Sequence, residues 1–202
     1  EHNCDVVAVT EIWLSDVEPL SEHTVNDFCP SGFTMSHKPR VGRKGGGVGL
    51  MHKKAVTIKH LKVQPFTSFE YSEHSMKCSS KWVKVVVIYR PPPSRANGLT
   101  CNMFLEEFGT FLEQLVLVND EFLIVGDLNF HVNDPKDKDA QKFISLIESF
   151  NLRQHMSCPT HISGNTLDLV ITRVDSCLIS SITVLPPQII ADHSLIHLKL
   201  NK

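Results

Sequence analysis

No two cysteines in this sequence stand at the CxxC spacing of a zinc or redox motif, although six are present, at 4, 29, 78, 101, 158 and 177. A disulfide scaffold is disfavoured as well, because a chain of 202 residues can build a core without one. The six are expected as reduced thiols in an intracellular protein, mostly as core filler. No apolar run approaches the length of a membrane span, so no membrane partner is expected. The first residues, Glu1-His2-Asn3, lack the basic leader and apolar stretch of a signal peptide. An apolar run starts almost at once, at Val6, so the sequence reads as a fragment whose beginning lies upstream. Internal repeats and low-complexity linkers are missing too, and a single domain over 1–202 is the expectation.

One shortage is local. Between Phe28 and Phe69 there is no Asp or Glu, while Lys38, Arg40, Arg43, Lys44, Lys53, Lys54, Lys59 and Lys62 fall inside that span. The net charge is only −2, so no global attraction to nucleic acid follows. The acid-free stretch nonetheless fits a phosphate-facing surface. The alternative is a solvated face balanced by acids that the fold brings near.

What is present is ordinary for a globular domain: 42% hydrophobic and 21% charged residues, which excludes the disordered class. Asp5 to Thr10 reads as a buried strand, and residues 15–31 as irregular, broken by Pro19 and Pro30. The run Lys44-Gly45-Gly46-Gly47-Val48-Gly49-Leu50 lacks the ending of a P-loop. Strands are expected over Val48–Met51, Ala55–Val63, Phe69–Met76 and Trp82–Tyr89, the last pair antiparallel. Asn102 is the expected cap of a helix over Met103–Val118, with Phe104, Phe108, Phe111, Leu112 and Leu115 inward. A second amphipathic helix is expected over Ala140–Phe150, with Phe143, Ile144 and Ile147 facing in. Strands over Leu167–Thr172, Ser180–Leu185 and Leu195–Leu200 close the chain. Strands outnumber helices and many are apolar on both faces, which favours stacked sheets with helices outside.

The chain is organised around EFLIVGDLNFH at 121–131. Phe122 to Val125 is a short apolar run ended by Gly126, and it reads as a buried strand. Asp127, Asn129 and His131 follow at its carboxyl end, where open α/β sheets bind ligands. A carboxylate there can hold a metal or handle a proton, and an amide can donate to a phosphate oxygen. An Asx-turn is the plainer alternative. Other strand ends carry similar groups: Glu11, Tyr89, Asp168 and the pair Asp192-His193. Together they offer hard oxygen ligands and a titratable base.

At these residues the sequence resembles the endonuclease/exonuclease/phosphatase superfamily, which includes deoxyribonuclease I. The resemblance rests on TEIWL at 10–14, Tyr89-Arg90-Pro91, Gly126-Asp127-Leu128-Asn129, Leu167-Asp168 and Asp192-His193, in that order. RKGGGVGL at 43–50, YRPP at 89–92 and CPTHISGNTLDLVIT at 158–172 make it most similar to the endonuclease domain of non-LTR (LINE-type) retrotransposons. The resemblance implies an α/β fold, a two-sheet β-sandwich flanked by helices in four layers, here without the first strand. It implies Mg2+-dependent (or Mn2+-dependent) hydrolysis of a DNA phosphodiester. Glu11 and Asp192 would serve the metal. His193 would be the base or would neutralise the phosphorane, oriented by Asp168. Asp127 would position or deprotonate the nucleophile, and Asn129 and Tyr89 would bond the scissile phosphate. Arg43, Lys44, Arg90 and Asn165 would bind substrate. His131 and His197 are expected as structural or surface residues.

The resemblance further implies DNA as partner, a reverse transcriptase domain of the same parent polyprotein, a nuclear site of action and a monomeric domain. Two departures from the family pattern are visible. An earlier strand bearing an Asn is not in this sequence, and Ile12 stands where the family has Thr. They motivate an alternative, an inactive remnant that only binds DNA. A second alternative keeps the fold and hydrolyses a phosphoinositide or phospholipid.

Overall fold

The structure is a computed structural model and describes residues 4–17, 20–187 and 191–201. Its elements run β1 (Val6–Thr10), α1 (Leu20–Phe28), β2 (Phe33–Lys38), β3 (Val48–Lys53), β4 (Ile58–Leu61), β5 (Glu70–Cys78), β6 (Lys81–Tyr89), α2 (Cys101–Leu115), β7 (Glu121–Asp127), α3 (Lys138–Ser149), β8 (Leu152–Gln154), β9 (Asp168–Arg173), β10 (Ile179–Leu185) and β11 (Leu195–Leu200).

The centre is a six-stranded sheet in the order β4-β5-β6-β7-β9-β8. Its middle strands bury both faces: Val85 to Tyr89 of β6, Phe122 to Val125 of β7 and Leu169 to Ile171 of β9 are all withdrawn from water. Continuous branched apolar runs suit such doubly covered strands. The aromatic stripe of α2, with Phe104, Phe108 and Phe111, forms a stacked cluster with Phe130 and Phe143 of the α3 side. Burying each ring contributes about 2–3 kcal/mol. The opposite layer is divided: a three-stranded sheet β1-β3-β2 and a hairpin β10-β11. Between β1 and β11 lies a cleft of about 720 Å³, floored by Val85, Val87, Leu123 and Val125. The expected two-layer sandwich is therefore present, with one of its layers in two pieces. Among the described residues β1 is an edge strand on the side away from β3.

Several expectations need correction. α1 occupies residues read as irregular; its sequence, LSEHTVNDF, has two buried side chains, Ser21 and Val25, and so little periodic signal. β2 and the short β8 had no sequence signal strong enough to stand out. α2 is capped by Thr100, whose Oγ1 accepts from the Met103 N–H at 3.1 Å, not by Asn102. The helix accordingly starts two residues early. All six cysteines are free thiols, but only Cys101 is buried, so core filler describes one of them.

Three histidines meet away from the polar strand ends. His60 on edge strand β4 faces His74 on β5, with Nδ1 to Nδ1 at 2.8 Å, and the His52 ring lies tilted beyond, its centroid 6.4 Å from that of His60. One ring donates and the other accepts, so the two cannot both be charged. His74 is 1% exposed, and burial, followed by the neighbouring His60 and His52, pushes it down to about 4. The unfolded chain then binds the proton more readily between the ordinary value near 6.5 and about 4. Stability is full above pH ~6.5 and falls with acid through that window, by on the order of 3 kcal/mol. Urea midpoints across pH should show this fall, and His74→Leu should flatten it; an equal slope in both proteins would contradict the assignment.

Candidate active site

Strand register assembles the site. Tyr89 of β6 lies beside Asp127 of β7, and Asp127 lies beside Asp168 of β9. Glu70 of β5 extends the same row beyond Tyr89. Directly paired residues share a face, so one row of polar groups crosses four strands. Gly126 makes this row possible. Its φ is +140°, and a Cβ there would stand 1.9 Å from the carbonyl oxygen of Ile88. Only glycine lets β7 approach β6 that closely.

Glu11 enters from the end of β1. The Tyr89 hydroxyl donates to its Oε1, and Trp13 Nε1 donates to its Oε2 at 3.0 Å. Glu11 and Trp13 both adopt a left-handed backbone, with φ of 52° each. Such strain in non-glycine residues is held by surrounding bonds, here Trp13 N–H to the Gly46 carbonyl at 3.0 Å. Ile12 packs inward, where a Cβ on Gly47 would come within 2.7 Å of its Cγ1. Position 12 therefore serves the contact with the glycine run.

His193 completes the row. Its Nδ1 lies 2.8 Å from Asp168 Oδ2. That bond, with the Asp168 charge, raises the imidazole to about 9, so it is protonated at neutral pH. Asp127 is 4% exposed. Burial, then the charge on Asp168, pushes it up to about 7. Both groups are thus raised above their ordinary values, which leaves Asp127 titrating near neutrality beside a charged imidazole and suits a base and an acid. Thr160 supports Asp168: its Oγ1 accepts from the N–H groups of Leu167 and Asp168, each at 3.0 Å.

Other expected residues are placed differently. Asn129 is adjacent, but its Nδ2 donates to Asp127 Oδ2 and to the Arg90 carbonyl, both at 2.9 Å. Arg90, expected at the substrate, is instead 3% exposed. Its guanidinium donates to the carbonyls of Leu128 and Asn129 and stacks 3.9 Å from the centroid of Phe130. It props the loop after β7 from below. Asn165 works within the turn at 160–166, donating to Ser163 Oγ at 2.9 Å. Asp192 is exposed and pairs with His161 at 3.5 Å. Arg43 and Lys44 line an open cleft of about 400 Å³ with Trp13, Asp16 and Arg40. His131 bridges to Asp137 at 3.2 Å on the surface.

Three contributors escaped the sequence reading. Arg40 pairs with Glu70, and Glu70 also accepts from the Gly47 N–H at 2.5 Å. His161 is the third; its bridge to His193 joins the turn at 160–166 to the chain before β11. Only the pairing register exposes these partners, although His161 lies within the stretch CPTHISGNT.

The donor set fits a hard divalent cation. Glu11, Asp127 and Asp168 bring carboxylate oxygens to neighbouring strand ends, while Asp192 stands with His161 and His193. Each Glu11 oxygen accepts a single bond and so keeps capacity for a ligand. A buried carboxylate raised by its neighbour's charge is a position where a cation offsets repulsion.

This architecture defines a phosphoester-hydrolase site of the deoxyribonuclease I-like class. The Endonuclease/Exonuclease/phosphatase family model matches residues 1–193, and the chain belongs to that family. Its fold matches the endonuclease domain of TRAS1, a telomere-specific non-LTR retrotransposon, with a TM-score of 0.71 at 13% identity, over 95% of this chain and 83% of that one. TDP2 of D. rerio, solved with a single-strand DNA product, aligns with a TM-score of 0.66 at 11% identity, over 98% and 86%. A mannosyl-6-phosphatase of Bacteroides thetaiotaomicron gives 0.64 at 10%, over 98% and 85%. Comparison with curated protein sequences gives no match. Among the described residues no helix is long and apolar enough to cross a membrane.

Proposed function

We propose that the protein is a Mg2+-dependent endonuclease that nicks DNA, of the kind that opens a target site for a non-LTR retrotransposon. The observation that carries this reading is the row Tyr89–Asp127–Asp168, closed by Glu11 and His193. Water attacks phosphorus as Asp127 takes its proton, and the bond to the 3′ oxygen breaks, the departing oxygen taking a proton from solvent to become a hydroxyl. Its position near pH 7 suits a general base. His193, held as imidazolium by Asp168, donates to a non-bridging oxygen where charge builds in the transition state. Asn129 steadies the Asp127 carboxylate, and Tyr89 holds Glu11 in place for the metal. Glu11 and Asp192 would be the residues to hold Mg2+, which would supply charge stabilisation at the phosphate. The freed 3′-hydroxyl would serve a reverse transcriptase domain of the parent polyprotein, in the nucleus.

The choice of DNA over a soluble phosphomonoester rests on the surface beside Glu11. Trp13 is 61% exposed there, next to Arg43 and Lys44 in the open cleft. An exposed ring among cations suits a base stack and a polyanionic backbone. Parallel assays test the choice. Supercoiled plasmid should convert to open circles, while inositol phosphates should release no inorganic phosphate. The reverse pattern would assign the site to a phosphatase, and salt-sensitive DNA binding without either reaction would mark an inactive remnant. Glu11→Gln should raise the Mg2+ concentration for half-maximal nicking about tenfold or more; an unchanged requirement would remove Glu11 from the metal.

A further inference from the structure

The stretches TEIWL at 10–14 and RKGGGVGL at 43–50 meet beside the active site. The Trp13 N–H donates to the Gly46 carbonyl at 3.0 Å. The indole packs against Gly45, where a Cβ would stand 3.5 Å from Cε2 and Cζ2. It remains 61% exposed, in the open cleft that Arg43 and Lys44 line. From there its Nε1–H reaches Glu11 Oε2 at 3.0 Å. The other Glu11 oxygen accepts from the hydroxyl of Tyr89, a buried residue. One carboxylate is thus held by two aromatic donors, one buried and one open to solvent.

Stability does not account for the open contact. A hydrogen bond exposed to water contributes little, because water replaces either partner. Glu11 and Trp13 nonetheless both hold φ at 52°. Left-handed backbone in two such residues costs more than one exposed bond returns. Strain kept beside an active site points to a function. A glutamate side chain is long and loses much rotamer freedom when it is fixed. Holding both of its oxygens beforehand takes that loss out of the cost of binding.

We propose that Trp13 is a positioning residue for Glu11. Its indole N–H presets the carboxylate for the divalent cation, while the face of the same ring stacks on a DNA base. This role rests on Glu11 being a metal ligand, as the nuclease reading has it.

Mn2+ is the probe, because the electron paramagnetic resonance of the free ion reports binding without turnover. Trp13→Phe keeps an aromatic face and removes the N–H. It should weaken Mn2+ binding by about tenfold or more, as loss of a partner bonded to a metal ligand does. DNA affinity, read in EDTA from the fluorescence anisotropy of a labelled oligonucleotide, should fall far less than in Trp13→Ala, where a loss of about fivefold or more is expected. Glu11→Gln tests the metal reading itself and should also weaken Mn2+ binding. Mn2+ affinity unchanged in Trp13→Phe but weakened in Glu11→Gln would overturn the positioning role and keep Glu11 as a ligand. Affinity unchanged in both would remove Glu11 from the metal, and Trp13 with it. A Trp13→Phe protein that loses Mn2+ and DNA binding together, with a lower melting temperature, has lost the loop rather than one hydrogen bond, and would overturn the assignment.

Discussion

His193→Ala should lower Mg2+-supported plasmid nicking by about 10³-fold, a loss of roughly 4 kcal/mol of transition-state stabilisation. The imidazolium is held against the acid row by Asp168. Asp127→Ala should cost a similar factor, because it removes the proton acceptor and the partner of Asn129. The two losses should combine to much less than their product, since both residues serve one step. Initial rates carry a second signature. Activity should rise with pH as Asp127 loses its proton and fall as His193 loses its own near pH 9. A cation beside Asp127 moves the acid limb below 7. His193→Gln should erase the alkaline limb and leave the acid one. An alkaline limb that survives the substitution would assign it to another group.

Gly126→Ala should be the most damaging single methyl in the protein. The new Cβ would fall 1.9 Å from the Ile88 carbonyl oxygen, which is backbone of the paired strand and cannot swing aside. Its φ of +140° is closed to alanine as well. Strands β6 and β7 carry Tyr89 and Asp127, so separating them opens the core and the site together. A loss above about 4 kcal/mol is expected, a large share of a domain's ~5–15 kcal/mol. Urea denaturation followed by tryptophan fluorescence measures it. A midpoint close to wild type would mean that β7 shifts in register without cost, and the row would not be fixed by close approach.

Much of this was legible in the sequence for a physical reason. The central strands are buried on both faces, so their residues read as unbroken apolar runs, and polar groups at their ends stood out. Glu11, Tyr89, Asp127, Asp168 and His193 were found that way, and register unites them. The failures share an opposite cause. α1 buries only Ser21 and Val25, so its amphipathic signal is faint. Arg90 stands one residue after Tyr89 and looked like a phosphate ligand. Burial against Phe104 and Phe130 is a tertiary fact that no local pattern carries. His161 and Arg40 gain their meaning from partners 31 and 30 positions away, Asp192 and Glu70. Charge counting misled in part too: within the acid-free span, Arg40 turns inward to Glu70, while Arg43 and Lys44 stay at the open cleft.

The central claim is that one strand-end site hydrolyses DNA with a divalent cation. The most direct measurement is to incubate supercoiled plasmid with the wild-type protein and Mg2+, then offer the products to a DNA polymerase. The account predicts open circles whose nicks are extended from a 3′-hydroxyl, and intact supercoils when EDTA is present. Nicking that persists in EDTA, or nicks that no polymerase extends, would contradict it.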